Sequence, residues 1–128
     1  MATATGTFTT AFTPVPSDDD LGRARIDKSF AGGLVGTSRT DMLSLGTTVE
    51  GSAAYVALDR FTGACDGVEG GFALVHTGLM ERGEGSLRVT VVPDSGTGDL
   101  AGIRGEFTIE VVDGEHRYAF DYTLPSSG

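Results

Sequence analysis

The stretches TGACDGVEGGF (62–72) and TGDLAGIRGEF (97–107) repeat one glycine pattern with an offset of 35 residues. Glycine adopts backbone angles that other residues avoid and lets two chains approach closely, so this spacing is typical of a sharp turn between strands. Each stretch therefore predicts a place where a β-sheet reverses its direction. The aligned pairs are Gly63 and Gly98, Gly67 and Gly102, Val68 and Ile103, Gly70 and Gly105, and Phe72 and Phe107.

Alternation with a period of two residues dominates the rest of the chain and predicts β-strands. Because no linker or break in composition separates the alternating segments, we expect a single domain over residues 1–128. The segments are eight in number: 3–12, 23–30, 34–48, 52–61, 70–80, 85–93, 105–113 and 116–124.

Eight antiparallel strands joined by short turns would leave two unpaired edges unless the sheet closes on itself. We therefore predict an all-β fold, a closed eight-stranded antiparallel up-and-down barrel, with a two-sheet sandwich as the alternative. In a barrel, Val68 and Ile103 would plug one end. Phe72 and Phe107 would be the first inward side chains of the strands that follow.

The charge and composition of the chain exclude several classes of partner. Nine Lys and Arg residues against eighteen Asp and Glu residues give a net charge of −9, which repels nucleic acid and anionic membrane surfaces. The sequence has neither an apolar run long enough to span a bilayer nor a signal-peptide pattern at its start. Its single cysteine, Cys65, cannot form an internal disulfide. We expect a cytoplasmic protein with no nucleic-acid or membrane partner.

Motifs for known cofactor or catalytic chemistry are absent from the sequence. GTGDLAG (96–102) resembles a dinucleotide-binding loop, but it joins two predicted strands and offers no helix N-terminus for a phosphate. Two histidines and one cysteine are a poor ligand set for zinc. We therefore expect no metal and no cofactor.

Polar residues on otherwise apolar strand faces are the best candidates for catalysis. His76 shares a face with Phe72 and Leu74, so its imidazole is expected to point inward, where it could donate or accept a proton. It could equally be a core histidine satisfied by a neighbour. Lys28 lies on a face with Ile26 and Phe30, and a buried ammonium would need a carboxylate partner.

Asp59 is the natural partner for Lys28, and Tyr55 shares the face of Asp59. A hairpin between segments 52–61 and 70–80 could place Tyr55 opposite His76 and Asp59 opposite Phe72, which would form an acid–base cluster. The internal repeat favours the opposite parity, with Val56, Leu58 and Arg60 inward, because it aligns Val56 with Val91. A slip of one residue would exchange the two faces.

Apolar and aromatic residues at inward positions could form the wall of a ligand cavity or simply fill the core. The predicted substrate-binding residues are Phe30, Met42, Phe72, Leu74, Phe107, Ile109, Tyr118, Phe120 and Tyr122.

Four stretches resemble a family of small, mostly bacterial proteins of unknown function that have an allene-oxide-cyclase-like barrel. They are DKSFAGGLVG (27–36), YVALDRFTG (55–63), GGFALVHTG (70–78) and VVPDSGTGDLAGIRGEF (91–107). The last contains a GTG-x-x-x-G-x-x-G element that is similar to one in plant allene oxide cyclases and dirigent proteins. The resemblance covers roughly residues 3–124 and implies a closed barrel with a mostly apolar lumen. The catalytic strand segments of the plant cyclase have no counterpart in this chain.

The wider group of such barrels includes cofactor-free cyclases, so the resemblance implies a cyclase or isomerase acting on a polyketide-, polyene- or terpenoid-like molecule. Proximity and one or two hydrogen-bond donors could carry such a reaction. A non-catalytic binding protein for a hydrophobic small molecule is the alternative. A third interpretation is a filled barrel that works through its outer face as a homodimer, with Val35, Leu43, Leu45 and Val75 outward.

Overall fold

The structure is a computed structural model, and it describes residues 1–125. No helix in this part of the chain has the length and apolar character needed to cross a bilayer. Nine β-strands account for most of these residues. They are β1 (Ala2–Val15), β2 (Gly22–Gly32), β3 (Leu34–Gly46), β4 (Ala53–Cys65), β5 (Val68–Glu81), β6 (Glu84–Val91), β7 (Thr97–Gly98), β8 (Arg104–Val112) and β9 (Glu115–Thr123).

Eight of these strands form one closed antiparallel barrel. Its order is β1, β2, β3, β4, β5, β6, β8 and β9, and β9 pairs back with β1. Closure matters because each strand then has a neighbour on both sides, which removes the unpaired edges of an open sheet. The predicted eight-stranded barrel is confirmed, and the sandwich alternative is wrong. The short strand β7 is an addition that pairs with β5.

The two glycine repeats meet at one end of the barrel, which we call the closed end. The first forms a two-residue turn between β4 and β5, in which Asp66 and Gly67 both have positive φ, 48° and 82°. The second is a longer connection that folds β7 onto β5 and sets Gly98 opposite Gly70. Similar sequences thus form different loops, and the two loops contact each other.

Side chains of the second repeat plug the closed end. Leu100 and Ile103 are fully buried there together with Leu34 and Cys65, and Val68 packs against them half-buried. The predicted plug is confirmed for Ile103, whereas Leu100 contributes to it without having been expected. Burial of these apolar side chains favours closure of this end because it removes their surface from water.

Aromatic rings fill the barrel from the closed end along its β1, β8 and β9 side. Phe107 and Phe120 stack with ring centroids 4.2 Å apart, and Phe120 also stacks on Tyr122 at 5.2 Å. The chain of ring contacts continues across the lumen through Phe72, Phe61 and Phe30 to Phe8. This half of the interior is therefore solid packing rather than open space.

The opposite end, which we call the mouth, is formed by the turns after β1, β3, β5 and β8. The β3–β4 and β5–β6 turns are joined there: the Gly83 amide donates to the Gly51 carbonyl at 3.0 Å, and the Arg82 amide donates to Ser52 Oγ at 3.0 Å. Two neighbouring hairpins of the mouth are thus held together by hydrogen bonds that cross between them.

Close approach of β3 and β4 gives a test of the fold. Gly36 and Gly63 are directly opposite each other, and a Cβ on Gly63 would lie 2.7 Å from Gly36 Cα and overlap the Val35 carbonyl oxygen. Since these are backbone atoms, Gly63→Ala is expected to lower the free energy of unfolding by about 1–3 kcal/mol in urea titrations. Gly46→Ala is the control, because a Cβ at Gly46 meets nothing within 4 Å, and it should change stability by less than about 0.5 kcal/mol. Equal stabilities of the two variants would contradict the close approach.

Candidate functional site

Three charged or titratable side chains from three strands meet inside the barrel, and we call them the buried triad: Lys28, Asp59 and His76. Lys28 Nζ donates to Asp59 Oδ2 at 2.9 Å, and His76 Nε2 lies 3.2 Å from the same oxygen. Only 8% of Lys28, 5% of His76 and none of Asp59 is exposed. The predicted Lys28–Asp59 pair is confirmed, and His76 points inward as expected.

Asp59 is held in its ionised form by its two partners. Burial alone would raise the pKa of this carboxyl group, but the hydrogen bond from His76 and the charge of Lys28 outweigh it, with a smaller contribution from Ser38. The pKa of Asp59 therefore lies well below its ordinary value of 3.8. Phe8 also contacts the ion pair. Lys28 Nζ lies 5.4 Å from the centre of the Phe8 ring, a distance typical of a cation–π interaction.

The register between β4 and β5 differs from the expected one by two residues. Asp59 lies opposite Leu74 and not Phe72, and Tyr55 lies opposite Gly78 and not His76. The cause is the tight Asp66–Gly67 turn, which pairs Cys65 directly with Val68. Because the shift is an even number of residues, the faces of both strands are unchanged.

The structure also shows which alternate residues of β4 point inward. Asp59 is buried and faces inward, and Tyr55, on the same face, is half-buried. The alternative parity is wrong: Val56 and Leu58 are 50% and 57% exposed on the outer face, and Arg60 pairs there with Asp41 at 2.9 Å. The alignment of the two repeats predicted the wrong face of β4 as the inward one, because β4 and β6 are followed by loops of different length.

A cavity of about 420 Å³ opens at the mouth between β3, β4, β5 and β6. It exists because small residues, including Ala53 and Gly85, occupy the lining of this side of the mouth. The ring of Tyr55 lies against Gly78, where a Cβ would overlap it, and burial raises the pKa of the Tyr55 phenol. The larger side chains of the lining are Met42, Tyr55, Leu79, Met80 and Leu87.

The buried triad lies one inward position deeper than this cavity. Gly78 is the next inward residue after His76 on β5. On β3, Thr40 lies directly opposite Asp59, and Met42 is the next inward residue after Thr40. The cavity lining and the triad are therefore successive layers of the same lumen. Tyr55 belongs to the cavity layer and not to the hydrogen-bonded triad.

Most of the predicted substrate-binding residues are core residues in the structure. Of that set only Met42 lines the mouth cavity, and Ile109 is half-buried. The other seven, Phe30, Phe72, Leu74, Phe107, Tyr118, Phe120 and Tyr122, are buried in the hydrophobic core. Their role in ligand binding stays a prediction.

The two tyrosine hydroxyls among the predicted substrate-binding residues form hydrogen bonds within the protein. Tyr118 Oη accepts from the Leu34 amide at 2.8 Å and donates to the Ala31 carbonyl at 2.9 Å, which fastens β9 to the β2–β3 turn. Tyr122 Oη donates to Asp66 at 2.5 Å. That hydrogen bond, more than burial, raises the pKa of Tyr122.

Cys65 lies fully buried at the closed end. Burial raises the pKa of its thiol to about 11, so it stays protonated at neutral pH and is a poor nucleophile. Within residues 1–125, no three His, Cys, Asp or Glu side chains are grouped so that they could hold a metal ion.

Two polar residues of the site were missed by the sequence analysis. Ser38 and Thr40 are 5% and 2% exposed on the inner face of β3, beside Asp59. Their alternation with Met42 is the signal that could have identified them, since a strand with Met42 inward places Ser38 and Thr40 inward too.

Asp59→Asn tests the electrostatics of the triad. The substitution leaves the Lys28 ammonium buried without its counter-charge, so at pH 7 it is expected to lower the free energy of unfolding by about 3–5 kcal/mol. Because the folded pKa of Asp59 lies below the unfolded value, its stabilisation is present above pH 3.8 and is lost as the pH falls toward the folded pKa. The difference between wild type and variant should therefore shrink in urea titrations below about pH 4.

Asp27→Asn is the matched control, because Asp27 is exposed on the neighbouring position of β2. It should change stability by less than about 0.5 kcal/mol at every pH. Should Asp59→Asn fail to fold, the double variant Lys28→Met, Asp59→Asn removes both charges and is expected to recover most of the loss. A constant penalty for Asp59→Asn from pH 7 to pH 3 would contradict an ionised Asp59 in the folded protein.

Comparisons with known proteins agree with this geometry. Residues 4–122 match the family described as "Protein of unknown function (DUF3224)". A crystal structure of a DUF3224 protein of unknown function from Shewanella oneidensis MR-1, at 1.84 Å resolution, is 38% identical, covers 99% of both chains and superposes with a TM-score of 0.94. No protein with a curated description matches the chain. The expected resemblance to a bacterial family of unknown function is thus confirmed, while the likeness to allene oxide cyclases stays a prediction. The chain belongs to the DUF3224 family.

Proposed function

We propose that this protein is a cofactor-free cyclase or isomerase that binds a largely apolar small molecule, of polyketide, polyene or terpenoid type, at the mouth of the barrel. The observation that carries the proposal is the position of the buried triad, which lies directly beneath the apolar mouth cavity. A proton-transfer group thereby adjoins a space of the right size and character for an apolar guest.

The size and lining of the cavity support binding of a small molecule. About 420 Å³ falls within the range of ordinary ligand pockets, and most of the lining is apolar. Met80 and Leu87 leave 45% and 48% of their surface in water. A guest that covers these side chains gains free energy from the apolar surface it buries.

His76 supplies the acid–base chemistry in this proposal. In this proposal its Nε2 donates to the ionised Asp59, because a carboxylate can only accept, and Nδ1 is the ring nitrogen that serves in proton transfer. In the reaction, Nδ1 takes a proton from one carbon of the guest and returns it to another. Ring closure and isomerisation only rearrange bonds within one molecule, so this sequence needs neither an oxidant nor a second substrate.

Two further residues contribute to the proposed reaction. The phenol of Tyr55 stays protonated, since burial raises its pKa, and it can donate a hydrogen bond to a carbonyl oxygen of the guest. Lys28 holds Asp59 in place. When His76 takes the proton, its positive charge is balanced by the negative charge left on the guest, until the proton is returned. The cavity itself contributes by restricting a flexible chain to a reactive conformation.

A non-catalytic binding protein is the second candidate. It is favoured by the near-complete burial of the triad and by the hydrogen bonds that already engage Asp59 and His76. A binding protein would use the mouth cavity alone, and the triad would then be a structural feature of the core. In both cases the guest sits at the mouth, because aromatic packing fills the other half of the lumen.

We also infer that the protein forms a homodimer through the outer face of the barrel. Val35 and Leu45 are exposed there, and Leu43 and Val75 are half-buried. These four side chains alternate with inward residues on β3 and β5. Leu43 and Val75 line one outer groove, which is apolar surface that a second copy could cover. Val35 is separated from Leu43 on the outer face of β3 by Thr37, Arg39 and Asp41.

Filling the cavity tests the proposed binding site. Ala53→Trp places a large ring in the lining, so it is expected to weaken binding of the neutral apolar dye Nile red at least about tenfold, measured by fluorescence titration. Ala31→Trp, at an exposed position of β2 outside the lining, is the control and should bind the dye as the wild type does. Equal binding by both variants would place the dye elsewhere.

Replacing His76 separates the enzyme from the binding protein. Small molecules that copurify with the protein are extracted, returned to fresh protein and followed by chromatography with mass detection. Ring closure or isomerisation gives a product of unchanged mass and altered retention time. His76→Gln is expected to slow this conversion at least about 100-fold while dye binding stays the same, and His116→Gln should have little effect. An extracted molecule that stays unaltered with wild-type protein would favour the binding protein.

A further inference from the structure

Three buried polar atoms beside the triad have no hydrogen-bond partner within residues 1–125. They are Asp59 Oδ1, Ser38 Oγ and Thr40 Oγ1. Ser38 is near enough to Asp59 to favour its ionised form, but the two side chains do not reach ordinary hydrogen-bond geometry. Buried polar groups are rarely left unpaired in proteins, because each has given up its hydrogen bonds to water.

These atoms belong to one place in the lumen. Thr40 lies directly opposite Asp59 across the β3–β4 pair, so their Cβ atoms are neighbours, and Ser38 is the preceding inward residue of β3. Met42, the following inward residue of β3, lines the mouth cavity. The unpaired atoms thus form a small polar subsite below the apolar cavity: Thr40 is level with Asp59, and Ser38 lies one inward position nearer the closed end.

The subsite selects the kind of group that can occupy it. Asp59 Oδ1 can only accept a hydrogen bond, whereas the hydroxyls of Ser38 and Thr40 can donate or accept. The occupant therefore has to donate to the carboxylate and accept from a hydroxyl. It should carry no charge, because Lys28 already balances Asp59 and a further charge would be buried without a partner.

We propose that the guest of this barrel is a neutral molecule with an apolar body in the mouth cavity and one hydroxyl group, alcohol or enol, in the Asp59–Ser38–Thr40 subsite. This inference rests on the proposed binding of an apolar molecule at the mouth. It assigns substrate specificity to Ser38 and Thr40. Met42, which separates the subsite from the cavity along β3, is a flexible side chain that can turn aside as the hydroxyl enters.

Two isomers of the same size provide the test. 1-Nonanol and methyl octyl ether have the same formula and similar apolar bodies, but only the alcohol can donate a hydrogen bond. In displacement of Nile red, 1-nonanol is expected to act at a concentration at least about tenfold lower than the ether. Nonanoate, which brings a negative charge toward Asp59, is expected to be weaker than the alcohol at pH 8.

The double variant Ser38→Ala, Thr40→Val removes the two hydroxyls while Asp59 stays. The concentrations of 1-nonanol and of the ether that displace the dye should become nearly equal, and the affinity for the ether should stay unchanged. Thr37→Val, at an exposed position of the same strand, should keep the preference. Because the double variant replaces unpaired hydroxyls by apolar groups of similar size, the free protein is expected to stay folded.

The outcomes separate this inference from the proposed function. If the dye binds but the alcohol and the ether displace it equally, or nonanoate displaces it best, the hydroxyl subsite is overturned and the apolar mouth site stands. A preference for the alcohol that persists in the double variant also overturns the subsite. If the wild type binds neither dye nor any of the three ligands, both proposals fail together.

Discussion

The volume inside an eight-stranded barrel is the constraint on which the rest of the structure depends. Every strand turns alternate residues inward, and the lumen holds little more than these side chains. On the β1, β8 and β9 side they are large, as Phe107 and Phe120 show, and they fill the space. On the β3–β6 side near the mouth they include Ala53 and Gly85, and space is left over. The cavity is thus a direct result of where small residues occur in the sequence.

A charged group in such an interior is stable only with a partner. Lys28 and Asp59 meet this requirement inside the lumen, since they come from the strands on either side of β3 and pair over its inner face. The pair brings His76 into a fixed orientation at a depth that water hardly reaches. The same low exposure that makes the pair costly to break strengthens any interaction of its members with a guest.

Much of the fold followed from residue patterns. Period-two alternation located all eight barrel strands, and the inward parity of Lys28, Phe72 and His76 was correct. The register of β4 and β5 did not follow, because turn length decides it and a two-residue turn and a longer one fit the same glycine-rich stretch. For the same reason the alignment of the two repeats gave the wrong alternative parity for Arg60.

The site was predictable only in part. The Lys28–Asp59 pair could be inferred because a buried ammonium requires a carboxylate, which is a rule of local chemistry. Whether an inward aromatic ring fills the core or lines a cavity depends on all its neighbours at once, so Phe30 and Tyr118 could not be assigned from their own strands. The subsite residues Ser38 and Thr40 became visible only when their missing partners could be counted.

The hydrogen bonds between the turns at Gly51 and Gly83 bear on how the mouth of the barrel opens. They join the β3–β4 and β5–β6 hairpins at the rim of the mouth on the cavity side, so these hairpins cannot separate without breaking both hydrogen bonds. The β1–β2 tip is different, since Asp19 bonds there with Ser17 and Leu21 of the same loop. Local opening of the rim is therefore expected to begin at the β1–β2 hairpin and not at the two linked hairpins, and the proposed guest would enter there.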